Sequence, residues 1–236
     1  HPPTRRVQHQ AQRLPPEPHV VTAGEVQRAY GARAAEYAEH LGVMEAVAAP
    51  DRELVLSWAQ TLTGPVLDVG CGPGHWTAYL HEHNVEIVGI DPTPEFITHA
   101  RTAHPGITFR DGQAERLDAP DGSLGGVLAW YSLIHSEPAA ATAALVEFAR
   151  ALRPGGGLLL GFFEGPVFEP FDHAITTAYR WPIGELSALL QQAGFTVTET
   201  HTRTDPGVRP HGAIVATRNS AHRGRVTGIR RRPGGS

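Results

Sequence analysis

Short, unbroken apolar runs alternate along the chain with longer segments whose apolar residues return every three or four positions. The runs are Val66-Leu67-Asp68-Val69, Glu86–Ile90 ending at Asp91, Gly125–Tyr131 and Leu158–Phe163. Apolar residues at consecutive positions face both sides of a sheet, so these runs predict strands buried on both faces. Ile107–Arg110 predicts a shorter strand, and Phe195–His201 with Gly212–Thr217 a closing pair. Helical periodicity covers Ala23–His40, Pro50 or Asp51 to Thr61, His75–His83, Pro94–Ala103, Pro138–Leu152 and Ile183–Ala193, the last stopped by Gly194. Asp51 and Thr93 stand where N-caps belong, and Arg153–Gly157 reads as a tight turn. The alternation predicts one α/β domain, doubly wound on a mostly parallel sheet.

Composition changes this picture mainly at the ends. Residues 1–20 hold five prolines and three histidines with little to bury, and are expected to be disordered or loosely docked. The domain is expected over 21–217, with 21–63 as a helical lid and 164–182 as a substrate lid. That second segment is longer than an ordinary connection and carries Phe168, Phe171, His173, Tyr179, Arg180 and Trp181. Residues 218–236, with six arginines and no acid, are expected to form a basic, flexible tail. The rest carries 14 arginines against 24 acids, which argues against nucleic acid in the main cleft. The chain has no lysine, which removes Schiff-base chemistry and the GK[ST] phosphate loop. The single cysteine, Cys71, points to a reducing cytoplasm and makes a cysteine zinc site improbable. The histidines show no metal-ligand spacing. The N-terminus, which opens at His1 rather than Met as a trimmed chain would, lacks a secretory apolar core, and no run is long enough to span a bilayer.

The stretch VLDVGCGPGHWT, Val66–Thr77, carries the candidate chemistry. A strand that breaks over Gly70, Gly72 and Gly74 and runs into a helix is a ligand cradle, because glycine admits positive φ and a close ligand. Asp91, at the end of the next strand, stands where an acid accepts ribose hydroxyls. That fits either a dinucleotide or S-adenosylmethionine. The G-x-G-x-G spacing, with His75 where a dinucleotide loop has its last glycine, separates the two. So does Asp68, which suits an ammonium better than a pyrophosphate.

With these residues the chain resembles the class I S-adenosylmethionine-dependent methyltransferases, in particular the small-molecule, ubiquinone/menaquinone-biosynthesis-like branch. VLDVGCGPG (66–74), VEIVGIDPTPEFITHAR (85–101), DGQAERLDAPDGSLGGVLAWYSLIH (111–135) and ALRPGGGLLL (151–160) carry the likeness, in order and at normal spacing. It implies a Rossmann-like, seven-stranded sheet with an antiparallel closing strand and an N-terminal helical lid. It implies S-adenosylmethionine as cofactor, held by Asp68, Gly70, Cys71, Gly72, Gly74 and Trp76. By the same likeness Asp91 takes ribose, while Gln113, Ala114 and Glu115 flank adenine beside Pro92 or Phe96. Trp130, Tyr131 and Ser132 lie at the reacting face, and Tyr30 and Tyr37 match the tyrosine pair of the lid helix. Two positions depart from the family: Gln113 replaces an acid at adenine, and Gly125 replaces one at the head of the fourth strand.

The expected reaction moves a methyl group to an O, N or C nucleophile of a small-molecule acceptor, in a setting that composition suggests is bacterial specialised metabolism. His135, His173 and Glu164 are the candidate bases. The alternative for His135 is a side chain that only shapes the pocket. The lid composition suggests a partly apolar, acidic or phenolic acceptor. A homodimer stays open. So do three other readings: non-methylating chemistry on the same fold, such as a cyclisation, a binding module without catalysis, and a nicotinamide-dependent oxidoreductase.

Overall fold

A computed structural model describes residues 21–40 and 42–220. The expectations for residues 1–20, and for the tail beyond 220, lie outside the described residues. The parallel strands are β1 (Val66–Val69), β2 (Ile87–Asp91), β3 (Phe109–Asp111), β4 (Leu124–Trp130) and β5 (Leu152–Glu164). Two further strands, β6 (Glu169–Asp172) and β7 (Thr177–Trp181), form an antiparallel hairpin. β8 (Phe195–Arg203) and β9 (His211–Arg218) close the sheet, with β9 antiparallel to both β5 and β8. The seven predicted strands therefore lie in the order β3-β2-β1-β4-β5-β9-β8, and the hairpin brings the sheet to nine.

The helices are α1 (Ala23–His40), α2 (Ala49–Gln60), α3 (His75–Glu82), α4 (Pro94–Ala103), α5 (Pro138–Ala151) and α6 (Ile183–Gln192). Successive strand residues point to opposite faces, and the core divides accordingly. Leu67, Val127, Ala129, Leu158, Leu160 and Ile214 pack with Leu145, Phe148 and Leu190 of α5 and α6. Their neighbours Val66, Leu128, Leu159, Ala213 and Val215 pack with Val55 and Trp58 of α2 and with Trp76 and Leu80 of α3. Unbroken apolar runs were required because both faces are covered.

Two local expectations need correction, while a third, Thr93 as the cap of α4, holds in position. Arg153–Gly157 is not a free turn but an irregular start to β5. The β4 partner advances from Leu124 to Gly126 while β5 advances from Leu152 to Gly157, and Gly155 at φ 76° absorbs the excess. Asp51 caps nothing, because α2 starts one turn earlier behind Ala48, with Pro50 in its first turn. The Asp51 carboxylate instead accepts both Arg203 terminal nitrogens, at 2.6 and 3.0 Å. Thr93 holds the cap position of α4 without a side-chain bond.

Segment 164–182, expected as a lid, is ordered by the β6–β7 hairpin. β7 pairs in parallel with the end of β5, Phe163 opposite Arg180 and Glu164 opposite Trp181. β9 already occupies one edge of β5 up to Phe163, so β7 takes the other edge where β4 has ended. The hairpin thus stands directly beyond the carboxyl end of β4, the place where α/β sheets bind ligands.

Candidate active site

The glycine loop is shaped by backbone geometry. Gly70 has φ 74°, and a Cβ there would overlap the Ser132 side chain, so only glycine lets the loop lie against the residue after β4. Gly72 has φ 53°, and a Cβ there would meet nothing within 4 Å. That position exposes bare backbone to open space, as a ligand cradle requires. The Gly72 N–H donates to Asp91 Oδ2 at 2.9 Å, and the Thr93 N–H donates to Asp91 Oδ1 at 2.8 Å. Burial pushes the Asp91 carboxyl up from its ordinary range, and these two donors oppose the shift. A carboxylate offers about four lone-pair positions, so two remain for hydroxyl donors.

Asp68 is buried beneath the loop, where its Oδ2 accepts the Thr77 hydroxyl of α3 at 2.6 Å. Burial raises it to about 7, against the pull of that bond. That bond ties β1 to the first turn of α3. Cys71 is buried among Ile97, Ala100 and Phe109, and burial pushes its thiol up, which suits a filler rather than a nucleophile. Trp76 lies in the core between α2 and α3, edge-on to Trp130 at 5.8 Å, rather than in the cradle. Gln113 and Glu115 are exposed after β3 and Ala114 packs on the core. Pro92 is exposed, whereas Phe96 is buried against both lid tyrosines, at 5.7 and 5.4 Å. Ser132 Oγ is buried without a hydrogen-bond partner among the described residues, next to the loop. A buried orphan hydroxyl beside an open backbone cradle fits a polar ligand, and so passes the test for a cofactor here.

The opposite wall is aromatic. Tyr30 and Tyr37 of α1 meet edge to face at 5.6 Å, as their seven-residue spacing on one helix face requires. Tyr30 reaches His135, its hydroxyl 2.9 Å from Nε2, while His135 Nδ1 lies 2.7 Å from the Thr177 carbonyl. A carbonyl only accepts, so Nδ1 carries the proton. Burial lowers the His135 pKa, so the ring is neutral and its Nε2 lone pair accepts the Tyr30 hydroxyl. The Nε2 lone pair is therefore engaged by Tyr30, and it is free only when that side chain turns aside. His173 stacks edge-on to His135 at 5.4 Å. It is driven down to about 4, by burial first and then by His135, Arg209 and Arg33. Glu164 is half-buried at the end of β5, its N–H donating to the Pro210 carbonyl at 3.0 Å. His135 and His173 are thus brought together with Tyr30, and Glu164 is held at the strand end.

One pair escaped the sequence reading. Tyr131 has φ 59°, a left-handed conformation that costs an ordinary residue about 1–2 kcal/mol. That turn sends Ser132 to the glycine loop and the Tyr131 hydroxyl to His211 Nδ1 at the start of β9. The two lie 80 positions apart, and nothing local to His211 marks it. A cavity of about 700 Å³ opens beside them under α2, with Leu54, Trp130, Asp51 and Arg203 in its wall.

A family model described as a methyltransferase domain matches residues 66–156. An uncharacterized methyltransferase of Synechocystis sp. is 32% identical over 58% of this chain and 68% of its own length. The chain spans between 44% and 68% of the length of the curated relatives it matches. Burkholderia thailandensis 1,6-didemethyltoxoflavin-N1-methyltransferase, solved with 1,6-didemethyltoxoflavin and S-adenosylhomocysteine, shares the fold at TM-score 0.69. Its identity is 21%, over 91% of this chain and 99% of that one. The [4+2]-cyclase SpnF also superposes at TM-score 0.69, with 19% identity over 86% of this chain and 98% of that one. No helix among the described residues is long and apolar enough to cross a membrane. Glycine loop, ribose acid, strand order and sequence relatives agree: the chain belongs to the class I S-adenosylmethionine-dependent methyltransferases, and S-adenosylmethionine is its cofactor.

Proposed function

We propose that the chain methylates an oxygen, nitrogen or carbon of a small molecule, as a cytoplasmic enzyme of bacterial specialised metabolism. The open Gly72 backbone beside the buried Asp91 carboxylate carries this reading. When bound, S-adenosylmethionine supplies a methyl carbon already activated by a positively charged sulfur.

The protein's work is then orientation. Asp91 accepts ribose hydroxyls with its two remaining lone-pair positions, and Ser132 Oγ satisfies a cofactor polar group. Gln113, Ala114 and Glu115 border the adenine, with Phe96 beneath Tyr30 and Tyr37. The rings of Trp130 and Tyr131 suit the cationic methylsulfonium through their π faces. α1 excludes water when Tyr30 is docked on His135. Holding nucleophile and methyl donor in line is worth about 7–11 kcal/mol of barrier. His135, with its proton fixed on Nδ1 by Thr177, keeps Nε2 available to receive the acceptor's proton once the Tyr30 hydroxyl moves.

The test is methyl transfer from labelled S-adenosylmethionine into small-molecule extracts. Wild type labels an acceptor, and His135→Ala lowers the rate by about 10²–10⁴-fold where the nucleophile must lose a proton. No labelled product, although S-adenosylhomocysteine binds, would sink the proposal. The likeness to a [4+2]-cyclase favours a second reading, in which the cofactor is held but not consumed. That reading predicts a product with the mass of its substrate.

A further inference from the structure

The roughly 700 Å³ cavity under α2 is not used by the cofactor residues, yet it abuts them. Three consecutive residues divide the work at the end of β4. Ser132 lies against the glycine loop, Tyr131 turns to His211, and Trp130 packs edge-on to Trp76 and Tyr131, at 5.8 and 5.7 Å. A tyrosine held in the left-handed region is a strained feature of the kind that gathers at functional sites. Here the strain delivers two aromatic rings to a cavity wall next to the cofactor loop.

The cavity's charge selects its occupant. Asp51, Glu53 and Glu199 line it, and among the described residues Arg203 is its only arginine. Arg203 is already neutralised, by Asp51 on its terminal nitrogens and by Asp205 on Nε at 2.7 Å. Glu199 has His201 at 3.0 Å, which matches it only while that imidazole is protonated. With Arg203 so paired, the carboxylates of Glu53 and Glu199 are left in the wall. An anion would meet repulsion there, while a cation gains from the carboxylates and from the faces of Trp130 and Tyr131.

We infer that this cavity extends the acceptor compartment from His135 past Trp130 and Tyr131, and takes a ring-bearing part of the acceptor that carries a positively charged nitrogen. This rests on the methyltransferase reading and replaces the acidic or phenolic acceptor suggested by the composition of residues 164–182. The test uses calorimetry on the full chain saturated with S-adenosylhomocysteine, at about pH 8. The probes are phenethylamine and phenylacetate, which share a ring and differ in charge. Phenethylamine is expected to saturate and to bind at least about tenfold tighter than phenylacetate. Leu54→Trp fills the cavity from α2 and is expected to abolish that binding. Ser57→Trp, at an exposed α2 position lining the same cavity, gives the same result without touching the core. Both variants retain S-adenosylhomocysteine affinity. The inference falls if phenylacetate binds as well or better, if neither probe binds, or if amine binding survives both tryptophans. Loss of S-adenosylhomocysteine binding by the wild type would instead overturn the cofactor reading.

Discussion

The two sides of the site are made differently. The cofactor side is built from backbone, from one contiguous stretch around Gly70–Gly74 plus the ends of β2 and β4. The proposed acceptor side is built from side chains drawn from distant segments. Tyr30 meets His135 across 105 positions, Tyr131 meets His211 across 80, and Arg203 meets Asp51 across 152. A backbone cradle recognises whatever all members of a family bind, because it depends on a few glycines and one acid. A wall of side chains from α1, α2, β8, β9 and the segment after β4 is free to vary without disturbing the cradle. Substitutions should therefore separate cofactor affinity from acceptor selection.

The largest effect expected is from Gly70→Val. Positive φ and overlap with Ser132 act together, so S-adenosylhomocysteine binding is lost in calorimetry and the melting temperature falls. Asp91→Asn comes next. It removes a charged acceptor from the ribose position and is expected to weaken cofactor binding by about 10–100-fold, following the value of hydrogen bonds to charged groups. Its effect on acceptor probes bound to a cofactor-saturated enzyme should be slight.

Asp68 gives a pH test of the cradle's foundation. Its folded pKa is raised by burial from 3.8 to about 7, so the folded state holds a proton that the unfolded chain releases. This group therefore favours folding most below about pH 4, and that contribution is lost as pH rises towards about 7. Asp68→Asn keeps the shape without the titration. Compared with wild type, its urea midpoints at about pH 5 and pH 7 should lie closer together. Equal pH dependence in the two proteins would contradict the buried-carboxyl account. The smallest effect is expected from Tyr30→Phe. It removes one hydrogen bond worth about 1 kcal/mol, so amide exchange along α1 should quicken about fivefold while the affinity of the cradle changes little.

The difference between the two sides also explains what could be read without coordinates. The strands were legible because burial on both faces writes consecutive apolar residues, and the cradle because three glycines and Asp91 lie within one β-α-β unit. Helix limits followed to within a residue or two. The β6–β7 hairpin was not legible as strands, since its pattern is short and mixed and its pairing depends on where β4 stops. Trp76 looked like a cradle residue by its position in the loop, yet helical geometry turns it into the α2–α3 core. Asp51 looked like a cap, but its carboxylate is claimed by an arginine on β8. His211 carried no local signal, and Tyr131, though expected at the reacting face, gave none of its left-handed turn, because their pairing arises only when β9 returns beside β5.

The central claim is that bare backbone at Gly72, beside Asp91, binds S-adenosylmethionine. The most direct measurement is calorimetric titration of S-adenosylhomocysteine and NADH into wild type and Gly72→Ala. A methyl group there meets no protein atom within 4 Å and costs the fold only the left-handed strain of about 1–2 kcal/mol. The account predicts that wild type binds S-adenosylhomocysteine and not NADH, and that Gly72→Ala stays folded but binds at least about tenfold more weakly. Tighter binding of NADH than of S-adenosylhomocysteine, or full affinity in Gly72→Ala, would contradict it.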